Sequence, residues 1–476
     1  MRILLFVILF LAIPAGAQEA ADLNTDVSAA ADGHPVLRCT YEQCVSRALA
    51  RSPLIGAAGK SLELYEAMQR EAKSTQYPKL EVTGFGSAIP ALRSGVTTAG
   101  NFTDYDLGGQ WKPLILGQMS IVQPLWTFGK IDSLKRLATQ GVEIGQATNK
   151  IAADEMRYQI ARAWWGLVAV AQMDDMIHDG KKRFLEEKAR QERMRDTADE
   201  KFNQNDLMKI NIYYADFEDK IRQAERSRQQ AMDGLRMAMA ESVELEVVPA
   251  IAAFKPLELV VLPVAAYEAL ALANAPKLLA MRHGVAARVE QVTLARNNTF
   301  PDIGLIARVA GTYAPSQVTA QTTGSLGAIP TSGLDFGGGL ALRWTLDIGR
   351  LVALVDQAKV QAEQAILAEK GEIEKTRMDV RQLYREMVDL RAMVDIHDKA
   401  KTSAQGWLNA TMQTYDDGFD NDYNEVLRAI EAYYRRRLTW LDAIYNYNIA
   451  VAALSRAVGM DVTQVKLAPP QDDRAN

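Results

Sequence analysis

One pattern occurs twice in this chain, about 220 residues apart: an apolar segment, a glycine and a basic residue, then a long stretch without proline. The first copy is QPLWTFGKIDSLKRLATQ from Gln123, and the second is LRWTLDIGRLVALVDQAKVQ from Leu342. Each copy passes from strand-like alternation to helical periodicity. The repetition predicts two copies of one structural unit.

The similarity extends upstream of both copies. ALARSPLIGAA near Ala48 matches ALANAPKLLAM near Ala271, and both contain a proline, Pro53 and Pro276. The residue before a proline disfavours helix, so a short helix is expected to end there. A second helix, an aromatic-proline pair and two strand-like segments follow in each copy. The predicted order is therefore helix, helix, strand, strand and two very long helices.

The strands of the second copy show a clear alternation. In the last strand one face holds Phe336, Gly338, Leu340, Leu342, Trp344 and Leu346, and the other holds Asp335, Gly337, Gly339, Ala341, Arg343 and Thr345. In the strand before it, Ile303, Leu305, Ala307, Val309 and Tyr313 fall on one face, opposite Asp302, Arg308 and Thr312. One face suits lipid and the other a water-filled lumen. A soluble antiparallel sheet with one face on a core gives the same pattern, so both interpretations stay open. In the first copy, the alternation between 114 and 125 is ambiguous.

Heptad spacing follows each glycine motif and predicts coiled-coil packing. At 1.5 Å per residue, helices over 130–200 and 350–415 would each be on the order of 100 Å long. The apolar heptad positions are Leu137, Ile144, Ile151, Tyr158 and Trp165; Ile366, Ile373, Val380, Met387 and Val394; Ile210, Phe217, Ala224, Ala231 and Ala238; and Val426, Tyr433, Trp440, Tyr447 and Leu454.

The N-terminus, MRILLFVILFLAIPAGA, has one basic residue, a short apolar run and a small-x-small triplet. It is typical of a cleaved signal peptide, and a membrane anchor is the alternative. An exported chain is then either soluble outside the cytoplasm or a membrane β-barrel. The predicted segments are a signal peptide 1–17, a linker 18–40, a first repeat 41–241, a connector 242–263, a second repeat 264–460 and a flexible tail 461–476.

Several kinds of chemistry find no support in the sequence. The net charge of −5 gives no reason to expect nucleic acid as a partner. The histidines have no metal-ligand spacing, and a calcium-loop reading from Asp420 fails because Glu425 stands where glycine is required. We therefore expect no enzyme activity, cofactor or metal. Cys39 and Cys44 could form a disulfide, but their spacing alone leaves this open.

Four motifs resemble the TolC-like outer-membrane efflux proteins. They are YEQCVSRALARSP after the signal peptide, the paired PLWTFGK and TLDIGR, the segment TYDDGFDNDYNEVLRAIEAYYRRR, and the closing ALSRAVGM. The resemblance covers residues 41–460, and it rests on the order and spacing of the motifs together with the duplication.

The resemblance implies a mixed fold: a membrane β-barrel together with a long α-helical coiled-coil barrel. Each protomer of a homotrimer would give four strands to a shared barrel in outer-membrane lipid, and the helices would extend into the periplasm. The implied function is the passive channel of a tripartite efflux or type I secretion system, with a periplasmic adaptor and an inner-membrane transporter as partners. The alternatives are a periplasmic adaptor or a structural coiled-coil protein.

Residues of the glycine motifs are candidates for the strand-to-helix turns. Gly129 and Gly349 would allow a backbone bend that a Cβ hinders. Trp126 and Trp344 would lie near the lipid boundary, although ordinary core is the alternative. The family often has two glycines in this motif, and here the first is replaced by Phe128 or Ile348.

The second hairpin tip is the candidate periplasmic entrance. In a trimer its carboxylates would form a negative ring that attracts cations, or they would simply keep a turn soluble. Arg428 is positioned to pair with Glu425 across one helical turn. The acidic residues of this tip are Asp416, Asp417, Asp420, Asp422 and Glu425.

Overall fold

A computed structural model of the chain describes residues 27–29, 35–94, 105–197, 202–250, 254–313, 333–416 and 423–464. The predicted signal peptide lies outside these ranges. In chain order the elements are β1 (Val27–Ala29), β2 (Pro35–Cys39), α1 (Tyr41–Arg51), α2 (Pro53–Ser74), β3 (Lys79–Ser94), β4 (Tyr105–Trp126), α3 (Lys130–Asp196), α4 (Gln204–Met239), β5 (Glu246–Pro249), α5 (Val264–Asn274), α6 (Pro276–Asn297), β6 (Asp302–Tyr313), β7 (Gly333–Arg343), α7 (Ile348–Asp416) and α8 (Tyr423–Val458).

The same order of elements appears from α1 to α4 and again from α5 to α8, and the short β5 lies between the two series. As predicted, α1 and α5 each end before a proline, and Ser52 and Ala275 adopt extended ψ angles of 126° and 116°. This is the conformation that a following proline ring imposes. The helices α3 and α7 are 67 and 69 residues long. No helix in the described ranges has an apolar stretch long enough to cross a lipid bilayer.

The chain divides into two compact units. We call Met1–Gly56, Ala153–Val264 and Val380–Asn476 the helical unit, and Ala57–Ala152 and Ala265–Asp379 the sheet unit. The long helices α3 and α7 contribute residues to both.

The sheet unit contains four antiparallel strands in the order β3-β4-β6-β7. The predicted faces of the second copy are confirmed, because Ile303 lies opposite Leu342 and Leu305 opposite Leu340. Pairing of Val82 with Met119 also resolves the ambiguous alternation in β4. The apolar face of the sheet is open in a single copy, and it includes Leu80, Val82, Ile115, Met119, Ile121, Leu305, Val309, Phe336, Leu340 and Leu342, all exposed.

The last strand is shorter than predicted. The alternation extended the strand pattern through Leu346, whereas β7 ends at Arg343. The reason is the length of the neighbouring strand, because β6 begins at Asp302, directly opposite Arg343. Beyond that point, Trp344 instead donates a hydrogen bond from Nε1 to the carbonyl oxygen of Thr299 at 3.0 Å.

The helical unit contains the small sheet β1-β2-β5 and the ends of the long helices. Cys39 and Cys44 are joined by a disulfide, at the junction of β2 and α1. The heptad positions within this unit are buried or half-buried, and the buried ones are Trp165, Val380, Met387, Val394, Ile210, Phe217, Ala238, Val426, Tyr447 and Leu454. In the sheet unit the heptad residues Ile151 and Ile366 are exposed, so the pattern is not buried along its whole length in one copy.

Candidate functional site

The first strand-to-helix turn contains two consecutive residues in the left-handed conformation. Phe128 has φ +50° and Gly129 has φ +81°. A Cβ on Gly129 would lie 3.1 Å from Nδ2 of Asn297, which itself donates to Oγ of Ser133. Conformation and space together require glycine here, as the sequence predicted.

Phe128 occupies a conformation that costs an L-residue about 1–2 kcal/mol. Its ring stacks on Phe300, with centroids 5.2 Å apart and planes at 15°, and meets the edge of Trp126 at 6.1 Å. Aromatic pairs of this kind contribute about 0.5–1.5 kcal/mol each beyond their buried area, which offsets the backbone cost. Phenylalanine can therefore occupy a left-handed position that glycine adopts more readily.

A lysine fastens this turn to the neighbouring strand. Nζ of Lys130 donates to the carbonyl oxygen of Phe300 at 2.8 Å and to Oδ1 of Asp302 at 2.7 Å. The lysine side chain is only 17% exposed, so solvent screens this ion pair less than it screens a surface pair. The start of α3 is thereby tied to the start of β6.

The second turn is built differently, and the prediction for Gly349 is wrong. Gly349 is the second residue of α7; its φ is not positive, and a Cβ there would meet no atom within 4 Å. Asp347 instead caps the helix, because its Oδ1 accepts from the backbone N–H of Arg350 at 3.2 Å. Trp344 and Gly349 are separated by two more residues than Trp126 and Gly129, and this extra length makes a left-handed bend unnecessary.

Both tryptophans of the glycine motifs are largely exposed in a single copy. Trp126 is 61% and Trp344 is 50% exposed, so neither is an ordinary core residue of this chain. Exposed indole rings at the end of an apolar sheet face suit a lipid boundary.

The structure covers the predicted entrance only in part. Asp417, Asp420 and Asp422 lie outside the described residues, and Asp416 is described only as the last residue of α7. Glu425 lies half-buried in the first turn of α8, and Arg428 is exposed.

The predicted ion pair between Glu425 and Arg428 is absent, although both residues belong to the described part of α8. Arg428 is exposed and Glu425 is half-buried. The two residues between them, Val426 and Leu427, are 2% and 1% exposed.

A lysine that the sequence did not reveal connects the starts of α4 and α8. Nζ of Lys209 donates to the side-chain oxygen of Asn424 and lies 3.5 Å from Oδ1 of Asp206. Asp206 is 9% exposed. Lys209 and Asn424 are more than 200 residues apart, so no spacing within one helix predicts their contact. Only the corresponding places of α4 and α8 in the two repeats could have indicated it.

Next to these helix starts, an apolar cluster holds α3, α4, α7 and α8 together. Tyr434 lies at its edge and packs against Phe217, with ring centroids 5.8 Å apart. The buried members are Met176, Phe184, Ile210, Phe217, Leu408, Val426, Leu427, Ala429, Ile430 and Tyr434.

A polar triad borders this cluster. Tyr434 donates from its hydroxyl to Oδ2 of Asp179 at 2.7 Å, and Nε of Arg183 donates to both carboxylate oxygens at 3.2 Å. Partial burial favours the protonated carboxyl, but the Tyr434 hydrogen bond and the Arg183 charge outweigh it and lower the pKa of Asp179. Burial, together with the hydrogen bond to Asp179, raises the pKa of Tyr434. At neutral pH this is a fixed contact between α3 and α8.

Metal chemistry finds no site in the described ranges, where no group of three histidine, cysteine or acidic side chains converges. The calcium-loop reading from Asp420 begins outside those ranges and cannot be placed.

The fold matches that of solved outer-membrane proteins, some of which are described as channels. CusC matches with a TM-score of 0.71 and 17% identity, over 88% of this chain and 92% of that one. VceC from Vibrio cholerae matches with 0.68 and 17%, over 89% and 96%. MtrE from Neisseria gonorrhoeae, solved in an open state, matches with 0.69 and 17%, over 89% of each chain. Comparison with curated proteins gives no match.

Residues 269–460, less than half of the chain, match the family described as outer membrane efflux protein. This match confirms the resemblance to the TolC-like outer-membrane efflux proteins over that part of the chain. The description of the matched family agrees with the predicted outer-membrane location and with the expectation of a transport protein.

Proposed function

We propose that this protein is the outer-membrane channel of a tripartite efflux or type I secretion system, a passive trimeric duct from the periplasm to the exterior. The observation that carries the proposal is the four-stranded sheet: its apolar face is exposed, and β3 and β7 have no neighbour on their outer sides among the described residues.

Such a sheet is incomplete in one copy. Backbone N–H and C=O groups at an open edge cannot face lipid, since each unsatisfied group costs several kcal/mol there. Four strands are also too few to close a barrel. Three copies would give twelve strands and leave no edge. Support comes from the fold, which this chain shares with structures described as outer-membrane channels.

Two adjacent residues of β7 test which face meets lipid. Leu342 is 64% exposed on the apolar face, and Ala341 lies on the opposite face. Leu342→Arg should reduce membrane assembly, because a cation on the lipid face is unfavourable, by about 2–4 kcal/mol at the bilayer midplane and by less towards the boundary where Trp344 would lie. Ala341→Ser is the matched control and should assemble normally. Equal amounts of assembled protein for the two variants would mean that the assignment of faces is wrong.

The proposal includes a periplasmic adaptor and an inner-membrane transporter as partners. Support comes from the efflux family that matches residues 269–460. Photo-cross-linkers placed at exposed positions near the tips, such as Asn205 and Arg428, should capture an adaptor in intact cells. A cross-linker at Leu342, which the proposal assigns to lipid, is the control and should capture none. Capture at Leu342 alone would contradict this arrangement.

The acidic tip of the second hairpin is proposed as the periplasmic entrance. Carboxylates at 416–425 from three copies would focus a negative potential and favour cations. Replacing Asp420, Asp422 and Glu425 by their amides should therefore weaken cation selectivity in planar-bilayer recordings. Unchanged selectivity would mean that the acidic residues only keep this turn soluble.

A further inference from the structure

The residues of the two outer strands, β3 and β7, favour one pairing register between neighbouring copies of the chain. We infer that β7 of one copy pairs antiparallel with β3 of a second copy in a single register, in which Trp344 lies opposite Leu80 and Arg343 opposite Glu81. The inference rests on the proposed function, because it requires that several copies close one barrel.

A joint of the same kind exists inside the chain. Inside the chain, the last strand of the first repeat, β4, pairs with the first strand of the second repeat, β6. Between copies, the last strand of one copy, β7, would pair in the same way with the first strand of the next, β3. In the internal joint, Trp126 lies opposite Ile303. Trp126 and Trp344 each precede a threonine, and Ile303 and Leu80 each follow an aromatic-proline pair by two residues. The corresponding pair between copies is therefore Trp344 and Leu80.

The faces of the strands agree with this register. Continuing from that pair, antiparallel pairing places Leu342 opposite Val82. Leu342 shares a face with Ile303, and Val82 shares a face with Met119, which itself pairs with Val309. All belong to the apolar face of the sheet. A shift by one residue would put Leu342 and Val82 on opposite faces, because side chains alternate along a strand.

The charges select among the registers that preserve the faces. Arg343 and Glu81 are both exposed, and neither forms an ion pair with any residue of the described ranges. The neighbour of Arg343 in its own sheet, Asp302, is already paired with Lys130 at 2.7 Å. An opposite charge directly across an antiparallel pair is stabilising. The joint between copies would supply that charge through Glu81.

Registers displaced by two residues lose this complementarity. One displacement places Arg343 opposite Lys79, and like charges directly opposite are destabilising. The other places Arg343 opposite Thr83, which offers no charge. In the joint inside the chain, the register shifts at Leu125, and the first pair beyond it is Pro124 and Gly304. A charged pair at this place would therefore be particular to the joint between copies.

Disulfide trapping in the assembled protein tests the register. Thr83 and Ala341 lie opposite each other in it, and the only two cysteines of the natural chain are already joined to one another. Opposite residues of antiparallel strands have Cα atoms about 4.5–5.5 Å apart, which suits a disulfide. The variant T83C/A341C should give a covalent trimer that a reductant dissolves. The matched controls T83C/G339C and F85C/A341C, displaced by two residues in either direction, should not.

The outcomes separate the register from the proposed function. Cross-linking of a control pair instead of T83C/A341C, in a protein whose native mass is trimeric, would overturn the register and leave the proposed function standing. Failure of all three pairs in such a trimer would have the same meaning. A monomeric mass for every variant, including the unaltered chain, would overturn both.

A double-mutant cycle tests the charged pair by itself. Glu81→Gln and Arg343→Gln should each lower the temperature at which the trimer dissociates in sodium dodecyl sulfate. The dissociation temperature of the double variant should be no lower than that of the less stable single variant, because the second substitution removes a residue whose charged partner is already gone. Additive shifts would show that Glu81 and Arg343 do not meet.

Discussion

Gly129 and Gly349 occupy corresponding places in the repeated motif, yet the structure predicts opposite responses to alanine. At Gly129, φ is +81°, a region that costs an alanine about 1–2 kcal/mol. The added Cβ would also lie 3.1 Å from Nδ2 of Asn297. Moving that amide breaks its hydrogen bond to the buried Ser133, at about 1 kcal/mol. Together these effects give a loss of about 2–3 kcal/mol.

Gly349→Ala is the matched control. This residue lies in the first turn of α7, its φ is not positive, and no atom lies within 4 Å of the place a Cβ would take. Alanine there should be neutral or stabilising by up to about 1 kcal/mol, from its higher helix propensity. The midpoint of thermal unfolding, followed by helical circular dichroism in detergent, should fall for Gly129→Ala and stay or rise for Gly349→Ala.

Equal midpoints for the two alanine variants, or a larger loss for Gly349→Ala, would refute this account of the turns. A third variant separates the two causes at Gly129. When Asn297→Ala is the background, the obstructing amide is gone, and Gly129→Ala should then cost only the backbone strain of about 1–2 kcal/mol. An unchanged cost in that background would mean that Asn297 does not obstruct the Cβ.

Two further predictions concern the packed ends of the long helices. A Cβ on Gly180 would lie 2.5 Å from Cζ of the buried Phe217, so Gly180→Ala should lower the unfolding midpoint, with overpacking costing about 1–3 kcal/mol; Gly166→Ala, with 3.7 Å to its nearest atom, should not. Tyr434→Phe removes a hydrogen bond to the Asp179 carboxylate and should cost about 1–2 kcal/mol at pH 7. Because the pKa of Asp179 is lowered, this stabilisation is lost as pH falls through that depressed value, so the difference between the two proteins should shrink as pH falls below 3.8, the ordinary pKa of an aspartate; a constant difference would contradict the assignment.

The sequence predicted the features that depend on local physics. Alternation in β6 and β7 placed Ile303 and Leu342 on one face, and the pairing of these two residues confirms it. The prolines at 53 and 276 located the ends of α1 and α5, because a proline restricts the residue before it wherever it occurs. The open question of the disulfide was settled by the approach of Cys39 and Cys44 at the start of α1.

The errors arose where similar motifs hid different geometry. Gly349 was matched to Gly129 by its neighbours, but the two additional residues before Gly349 change how the helix begins. Glu425 and Arg428 have a spacing that permits an ion pair, yet none forms between them in the described part of α8, where Arg428 is exposed and Glu425 is half-buried. Spacing along a helix brings two side chains within reach of each other, but it does not determine whether they pair.

Contacts between distant segments were beyond reach of the sequence. Lys209 meets Asn424 only because α4 and α8 start side by side. Asp179 and Tyr434 are 255 residues apart, and no motif connects them. Such pairs follow from the arrangement of the four long helices. Heptad spacing predicts that these helices pack as coiled coils, but it does not predict which residues of two helices lie side by side.

The most direct test of the central claim is the mass and conductance of the purified protein in one preparation. The account predicts that the chain requires detergent for extraction, has the mass of three copies in mild detergent, and conducts ions when added to a planar bilayer. A folded monomer that is released from membranes without detergent and leaves the bilayer electrically silent would contradict it.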